Sequence, residues 1–267
     1  KTVDNDLFGT DHTPGFASAA WSNILNVMQG GMLARDMKKV DQFVVYQTIG
    51  RDAGWLAAAT AVARREEDDA PHLIYTPEHH FVKEQFLADV DHCITRYGWV
   101  SVVCGEGIKY ADGSPVSASV VKDKFSNTEF GAMGGASVGL TLHRMISSEM
   151  GLRGEFQITE SLIMSDFVRA LPVDLDEAYR CGIEAVRLAK RGGSGFMLSI
   201  NRESDGPDEG ALGAVRRSEV AIAARPMPAE YFNAAGNFVT DAFMRYMKPL
   251  TGELPDFVKL KKIMVLK

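Results

Sequence analysis

Cysteine is scarce. Only Cys93, Cys104 and Cys181 occur, widely spaced and with no C-x-x-C pair. An odd count at such spacing argues against a disulfide framework and for reduced, buried thiols. Basic clusters are missing as well. The net charge is −6 and no Lys/Arg block occurs, so neither nucleic acid nor an acidic membrane surface is an expected partner. No apolar run is long enough to span a bilayer, and the opening Lys-Thr-Val-Asp is no signal peptide. There is no internal repeat and no low-complexity segment. These absences leave a cytoplasmic globular protein. Its 267 residues, 46% hydrophobic and 24% charged, suffice for one large α/β domain or two smaller lobes. An acidic chain that binds an anion must gather its few cations in one cleft, so single Lys and Arg residues carry weight.

Short β-type runs alternate with longer helical ones. Residues 15–36 read as a helix with the stripe Phe16, Ala19, Ala20, Ile24, Val27, Met28. Strands are predicted at 43–50, 72–78 and 99–107, and helices at 52–67 and 82–97. A polar stretch from Lys109 to Asn127 follows, with a turn at Asp112-Gly113. Helices at 138–150, 174–191 and 238–248 and strands at 155–159, 195–201 and 218–224 complete the pattern, with 201–213 as a surface loop. Such alternation predicts parallel sheets with helices on both faces. Ligands of these folds sit at the carboxyl ends of the strands. That rule selects Ile49-Gly50-Arg51, Pro77-Glu78, Gly105-Glu106-Gly107 and the opening loop.

The opening loop carries Asp4 and Asp6 in a D-x-D pair, flanked by Lys1 and Thr2. Two nearby carboxylates can hold Mg²⁺, or one can hold the metal while the other accepts a proton. Phosphoryl transfer needs such a base, and cations to neutralise the spreading charge. The helix beginning near Thr13 to Gly15 could aim its N–H groups at an anion. Taken alone, D-x-D reads more readily as a solvated turn with a helix cap, because short acidic motifs are common.

Longer stretches are more specific. "KTVDNDLFGTDHTPGFASAA" resembles the catalytic segment of the phosphofructokinase family, P-[GK]-T-I-D-N-D followed by G-T-D-x-T-x-G-F. "VVYQTIGR", "HLIYTPE", "VSVVCGEG" and "DLDEAYRCGIEAVRLAKRGGSGFMLSINR" resemble further family segments in the same order, over nearly the whole chain. The resemblance implies a phosphofructokinase-like α/β fold of two Rossmann-like lobes with largely parallel sheets. Residues 1–15 and 165–217 would be the remainder of a donor-phosphate-binding lobe. Residues 16–164 and 218–267 would form the sugar-phosphate-binding lobe. In the family a donor-binding region with G-G-D motifs precedes the catalytic segment. The sequence is therefore expected to be the latter part of a longer enzyme, with an intact mass above 29.2 kDa.

The resemblance also implies chemistry. Asp4 is the expected base on O1 of fructose 6-phosphate, and Asp6 is expected to support the charge network through Mg²⁺ or a hydrogen bond. Family members with Lys at the position of Lys1 use diphosphate, and those with Gly use ATP, so Lys1 points to diphosphate. Thr2, Val3, Ile49, Gly50, Arg51 and Glu106 are expected at the substrate, with Ile49 in place of the usual Met. Arg153 and Arg169 are candidate grips for the 6-phosphate, although the family's L-G-[HY]-x-Q-R is not intact here. Gln42 replaces an Arg that in many members reaches a neighbouring subunit, and a homo-oligomer, dimer or tetramer, is implied. An ATP-dependent enzyme and a non-catalytic sugar-phosphate-binding regulatory subunit are the alternatives.

Two motifs are read more plainly. Gly131, Gly134 and Gly135 could cradle a phosphate, or form a loop packed on the sheet. His12 and His79-His80 lack a third ligand at metal-binding spacing and read as surface turns.

Overall fold

The computed structural model describes residues 2–117, 137–202, 210–220 and 222–256. Lys1 and the glycines 131, 134 and 135 lie outside the described residues. Helix α1 (Phe16–Met37) leads into β1 (Phe43–Thr48). A short α2 (Trp55–Ala59) and a 3-10 turn (Thr60–Ala63) precede β2 (Leu73–Tyr75), α3 (Lys83–Tyr97) and β3 (Val100–Gly105). After α4 (Val138–Met150) the chain enters β4 (Gly154–Ile158). Then come α5 (Pro172–Lys190), β5 (Phe196–Asn201), β6 (Ala211–Arg216), a single turn α6 (Arg217–Val220) and α7 (Asp241–Thr251).

The first four strands form one parallel sheet in the order β2-β3-β1-β4. Strand β1 is central and buried at all six positions. Its side chains alternate between two cores, as a period of two requires. Val44 and Tyr46 join Phe16, Ile24, Trp55 and Phe243 from α1, α2 and α7. Phe43 and Val45 join Phe86, Val90, Leu142 and Ile146 from α3 and α4. The sheet is thus sandwiched between helices, as the alternation predicts. Among the described residues no helix is long and apolar enough to cross a membrane.

Three elements differ from the sequence reading. The helix expected over 52–67 stops at Ala59 and its 3-10 extension. Its continuation, Arg64 to Asp69, has no apolar face to bury, and the Asp69 carboxylate accepts from the amides of Arg65 and Glu66 instead. The last strand lies at 211–216, overlapping the end of the expected loop and ahead of the strand expected at 218–224, and 217–220 is a helical turn. Strand β6 pairs antiparallel with β5, so the second sheet is not parallel among the described residues. Gly213 lets this pair close, because the Asn201 and Ser199 side chains occupy the space where its Cβ would stand.

Parallel pairing brings the loops after β1 and β3 side by side, since Thr48 lies opposite Gly105. Gly107 makes the fit possible. A Cβ there would fall inside the carbonyl oxygen of Arg51. Gly107→Ala must push the two loops apart. The expected cost is about 3 kcal/mol, the upper end of ordinary overpacking, read by urea unfolding. A change below about 0.5 kcal/mol, the range of surface substitutions, contradicts this contact.

Candidate active site

The segment Thr2–Thr13 is a loop closed on itself. Asn5 is buried with φ 61, a left-handed conformation that Asn tolerates better than most residues. Its Oδ1 accepts from the amide of Thr13 at 3.1 Å, and its Nδ2 donates to the Tyr246 hydroxyl at 3.0 Å. Arg225 fills the loop from behind. Its guanidinium donates to the carbonyls of Thr10 (2.8 Å), Asn5 (2.9 Å) and Asp11 (2.9 Å), and its amide to that of Asp6 (2.6 Å). The same guanidinium stacks on Trp55 at 4.5 Å. The loop so held places Asp4 within electrostatic reach of Asp6, Arg51 and Glu106, at the carboxyl ends of β1 and β3.

There the expected residues converge. Asp4 has a raised pKa, because burial and the neighbouring Asp6 charge outweigh Thr2 and Arg51. Thr2 also accepts from the Asp4 amide at 3.0 Å. Glu106 is 7% exposed, and its Oε1 accepts from the amides of Gly50 (3.2 Å) and Arg51 (3.1 Å). Burial pushes its pKa up to about 6; those two bonds oppose the rise, and Asp4 and Glu160 add to it. Gly50 (φ 139) and Arg51 (φ 46) bend the chain around this carboxylate. Asp52, the next carboxylate along the chain, binds Lys109 at 2.6 Å rather than Arg51. The Arg51 guanidinium therefore stands exposed at the mouth. Val3 and Ile49 pack partly buried against the core beneath. One oxygen of Asp6 is buried without a hydrogen-bond partner. An orphaned, hard carboxylate oxygen beside a second carboxylate fits a divalent cation such as Mg²⁺, although no cluster of three metal-binding groups occurs among the described residues.

Other expected residues lie elsewhere. Arg153 precedes β4, which runs parallel to β1, and so sits at the amino end of the sheet, opposite the mouth. It is 76% exposed and pairs with Asp41 at 2.8 Å, next to Gln42. Arg169 lies along α1, held by Asn26 Oδ1 at 2.7 Å and by Ser22. Glu78 accepts from the amides of Gly54 and Met227, so it braces the loops behind the mouth. The N-terminus of α4 is taken by Gln47 and Ser137. His79 packs on Phe232.

The amino end of α1 is not open to an external anion. Asp174 of α5 accepts there from the amides of Gly15 and Ser18 and from the Ser18 hydroxyl, each at 2.5 Å. One turn on, Glu177 holds His12. His12 is thus no surface turn but fully buried, between Asp11 and Glu177. Asp174, Glu177, Arg225 and Glu160 were not singled out by the sequence reading. The i, i+3 spacing of Asp174 and Glu177 was the available signal. Arg225 gave none.

Residues 1–189 match the phosphofructokinase family. The chain is 34% identical to a pyrophosphate–fructose 6-phosphate 1-phosphotransferase of Methylococcus capsulatus, over 99% of this chain and 64% of that protein. Crystal structures of pyrophosphate-dependent phosphofructokinases from Marinobacter aquaeolei and Nitrosospira multiformis superpose with TM-scores of 0.80 and 0.79. Both are 30% identical; they cover 100% and 98% of this chain, which spans 65% and 61% of theirs. The chain thus spans less than two thirds of the length of these relatives.

The Glu106 environment gives a measurable pH dependence. Its folded pKa of about 6 lies above the ordinary 4.5, so the fold holds its proton more tightly than the unfolded chain does. The resulting stabilisation is present at low pH and disappears as pH rises from 4.5 through about 6. Relative to Glu106→Gln, the parent should lose about 2 kcal/mol across that window, at 1.36 kcal/mol per unit. A stability difference that stays flat with pH contradicts the buried, carboxylate-crowded setting.

Proposed function

This chain belongs to the phosphofructokinase family, and we propose that the protein containing it transfers a phosphoryl group from diphosphate to fructose 6-phosphate. The products are fructose 1,6-bisphosphate and orthophosphate, in a reversible step shared by glycolysis and gluconeogenesis in the cytoplasm. The observation that carries the reading is the convergence of Asp4, Asp6, Arg51 and Glu106 at one end of the parallel sheet.

Asp4 takes the proton from O1 of the sugar as O1 attacks the terminal phosphorus of diphosphate. The new O1–P bond forms while the bridging P–O bond breaks and orthophosphate leaves. A carboxylate made more basic by burial is better matched to that proton transfer. Arg51 meets the anionic substrate with a guanidinium no other side chain occupies among the described residues. Glu106 has spent Oε1 on the backbone and offers Oε2 to sugar hydroxyls. Thr2, Val3, Ile49 and Gly50 shape the wall around the sugar. Asp6 would hold Mg²⁺, which when bound neutralises charge on the transferring phosphoryl group. Lys1 would stand at the donor and select diphosphate over ATP. In this reading residues 1–15 and 165–217 face the donor, and residues 16–164 and 218–267 face the sugar phosphate. Arg153, at the far end of the sheet, takes no part in the cleft of this chain, and Arg169 is engaged along α1 by Ser22 and Asn26.

Asp4→Asn in the full-length protein keeps the shape and removes the base. The expected result is a kcat lower by about 10²–10⁴-fold, the usual range for a general base, with KM for fructose 6-phosphate little changed. A kcat within a few-fold of the parent refutes the base. Parallel assays with diphosphate and ATP decide the donor. Sugar-phosphate binding without turnover of either would mean a regulatory subunit.

A further inference from the structure

His12 is buried to 0% exposure, and both of its ring nitrogens meet carboxylates. Nδ1 lies 2.8 Å from Asp11 Oδ2, and Nε2 lies 3.0 and 2.9 Å from the two oxygens of Glu177. An ionised carboxylate only accepts, so both nitrogens must donate, and only the imidazolium does that. We infer that His12 is a positioning residue charged at neutral pH, whose imidazolium clamps the loop bearing Asp4 onto α5.

The route from His12 to Asp4 is short and continuous. The backbone carbonyl of Asp11 accepts from Arg225 and from the Tyr246 hydroxyl. Arg225 also holds the carbonyls of Asn5 and Asp6, and Tyr246 receives the Asn5 side chain. Thr13, next to His12, closes the loop on Asn5. Releasing His12 from Glu177 therefore frees the neck of the loop on which the D-N-D triplet is mounted.

The surrounding groups favour the charge. Asp11 faces His12 from the loop, and Glu177 from α5, with the Cys181 thiol one turn further on. Arg202, at the end of β5, lies 3.4 Å from Asp11 Oδ2, and Tyr246 and Arg225 approach from α7 and the segment before it. Burial alone would lower the His12 pKa, but the bonds to Asp11 and Glu177 outweigh it and raise the value to about 9. A raised value means that the clamp is fully present below 6.5 and is lost as pH climbs through about 9.

The kinetic part of this inference rests on Asp4 being the base; the charge of His12 does not. The first experiment is ¹⁵N NMR of the full-length protein with ring-labelled histidine, the His12 signals being assigned by their loss in His12→Gln. Both ring nitrogens should be protonated at neutral pH and lose a proton only near pH 9. A neutral His12 at neutral pH overturns the inference. The second experiment is kinetic. Displacing a catalytic group by about 1 Å costs on the order of 10²-fold, so His12→Gln should lower kcat by about 10-fold or more with KM little changed. The single variant leaves Glu177 buried and unpaired, so His12→Gln with Glu177→Gln should recover part of that kcat. A packing defect would not be repaired by the second substitution. A single variant with parental kcat, or a double variant no better than the single, overturns the positioning role. If the parent has no phosphoryl-transfer activity while His12 is doubly protonated, it is the functional reading that has failed.

Discussion

Two carboxylates on one helix hold this molecule's chemistry in place. Asp174 and Glu177 stand nearly one turn apart on α5, buried, and both point at the junction between the opening loop and α1. Asp174 satisfies the backbone amides that every helix leaves open at its start. A negative charge there also suits the helix dipole. Glu177 takes the imidazole that ends the loop. Without α5, the first turn of α1 would be an anion site and the loop would have no anchor on this side. With it, the positive end of α1 is already neutralised, and a phosphate must be bound elsewhere than at that helix terminus.

That consequence shapes the mouth of the site. The groups that act on one another there include the carboxylates Asp4, Asp6, Glu106 and Glu160, against the guanidinium of Arg51. Such a mouth repels a polyanion unless cations accompany it or line the side facing the donor. The raised values of Asp4 and Glu106 express the same imbalance, since crowding and burial both disfavour the ionised form. A divalent cation on Asp6 and an ammonium at position 1 would reverse the sign of the local field, and both belong to the proposed reaction.

The sequence was informative where chemistry and local pattern coincide. The Ile49-Gly50-Arg51 bend and Glu106 between two glycines were legible because each lies at the predicted carboxyl end of a strand, and the D-N-D loop because its residue types suit phosphoryl transfer. Strand polarity could also have warned about Arg153. A residue immediately before a parallel strand lies at the end away from the site, however well its type suits a phosphate. Arg169 could not be judged this way, because its partners Ser22 and Asn26 are more than 140 residues away in the chain. The same distance hid Arg225, whose role consists of bonds to loop carbonyls that any sequence would offer. His12 was misread as surface because polar neighbours suggest solvent, whereas here each neighbouring charge has a buried opposite. Strand β6 was hidden in a glycine-bearing stretch that looks like a loop until its cross-strand neighbours are known.

The carboxylates themselves sort by what their two oxygens do. Asp174 commits both to α1, and Glu177 commits both to His12; these are fasteners with nothing left to offer a ligand. Glu106 commits one oxygen to the bend at Gly50 and Arg51 and keeps the other. Asp6 has one buried oxygen with no partner at all. Buried acceptors are rarely left unsatisfied, so in the proposed reaction the spare capacity is where a substrate hydroxyl or a cation would complete the structure. Glu78 looks like an exception, with Oε1 engaged and Oε2 unpartnered. Packing removes it from the set, because Oε2 lies 2.6 Å from the place a Cβ on Gly54 would occupy. That oxygen is buried beside Gly54. Spare acceptor capacity gathers where Asp4, Asp6 and Glu106 lie together beside the exposed Arg51, and that coincidence is what makes this end of the sheet the candidate site.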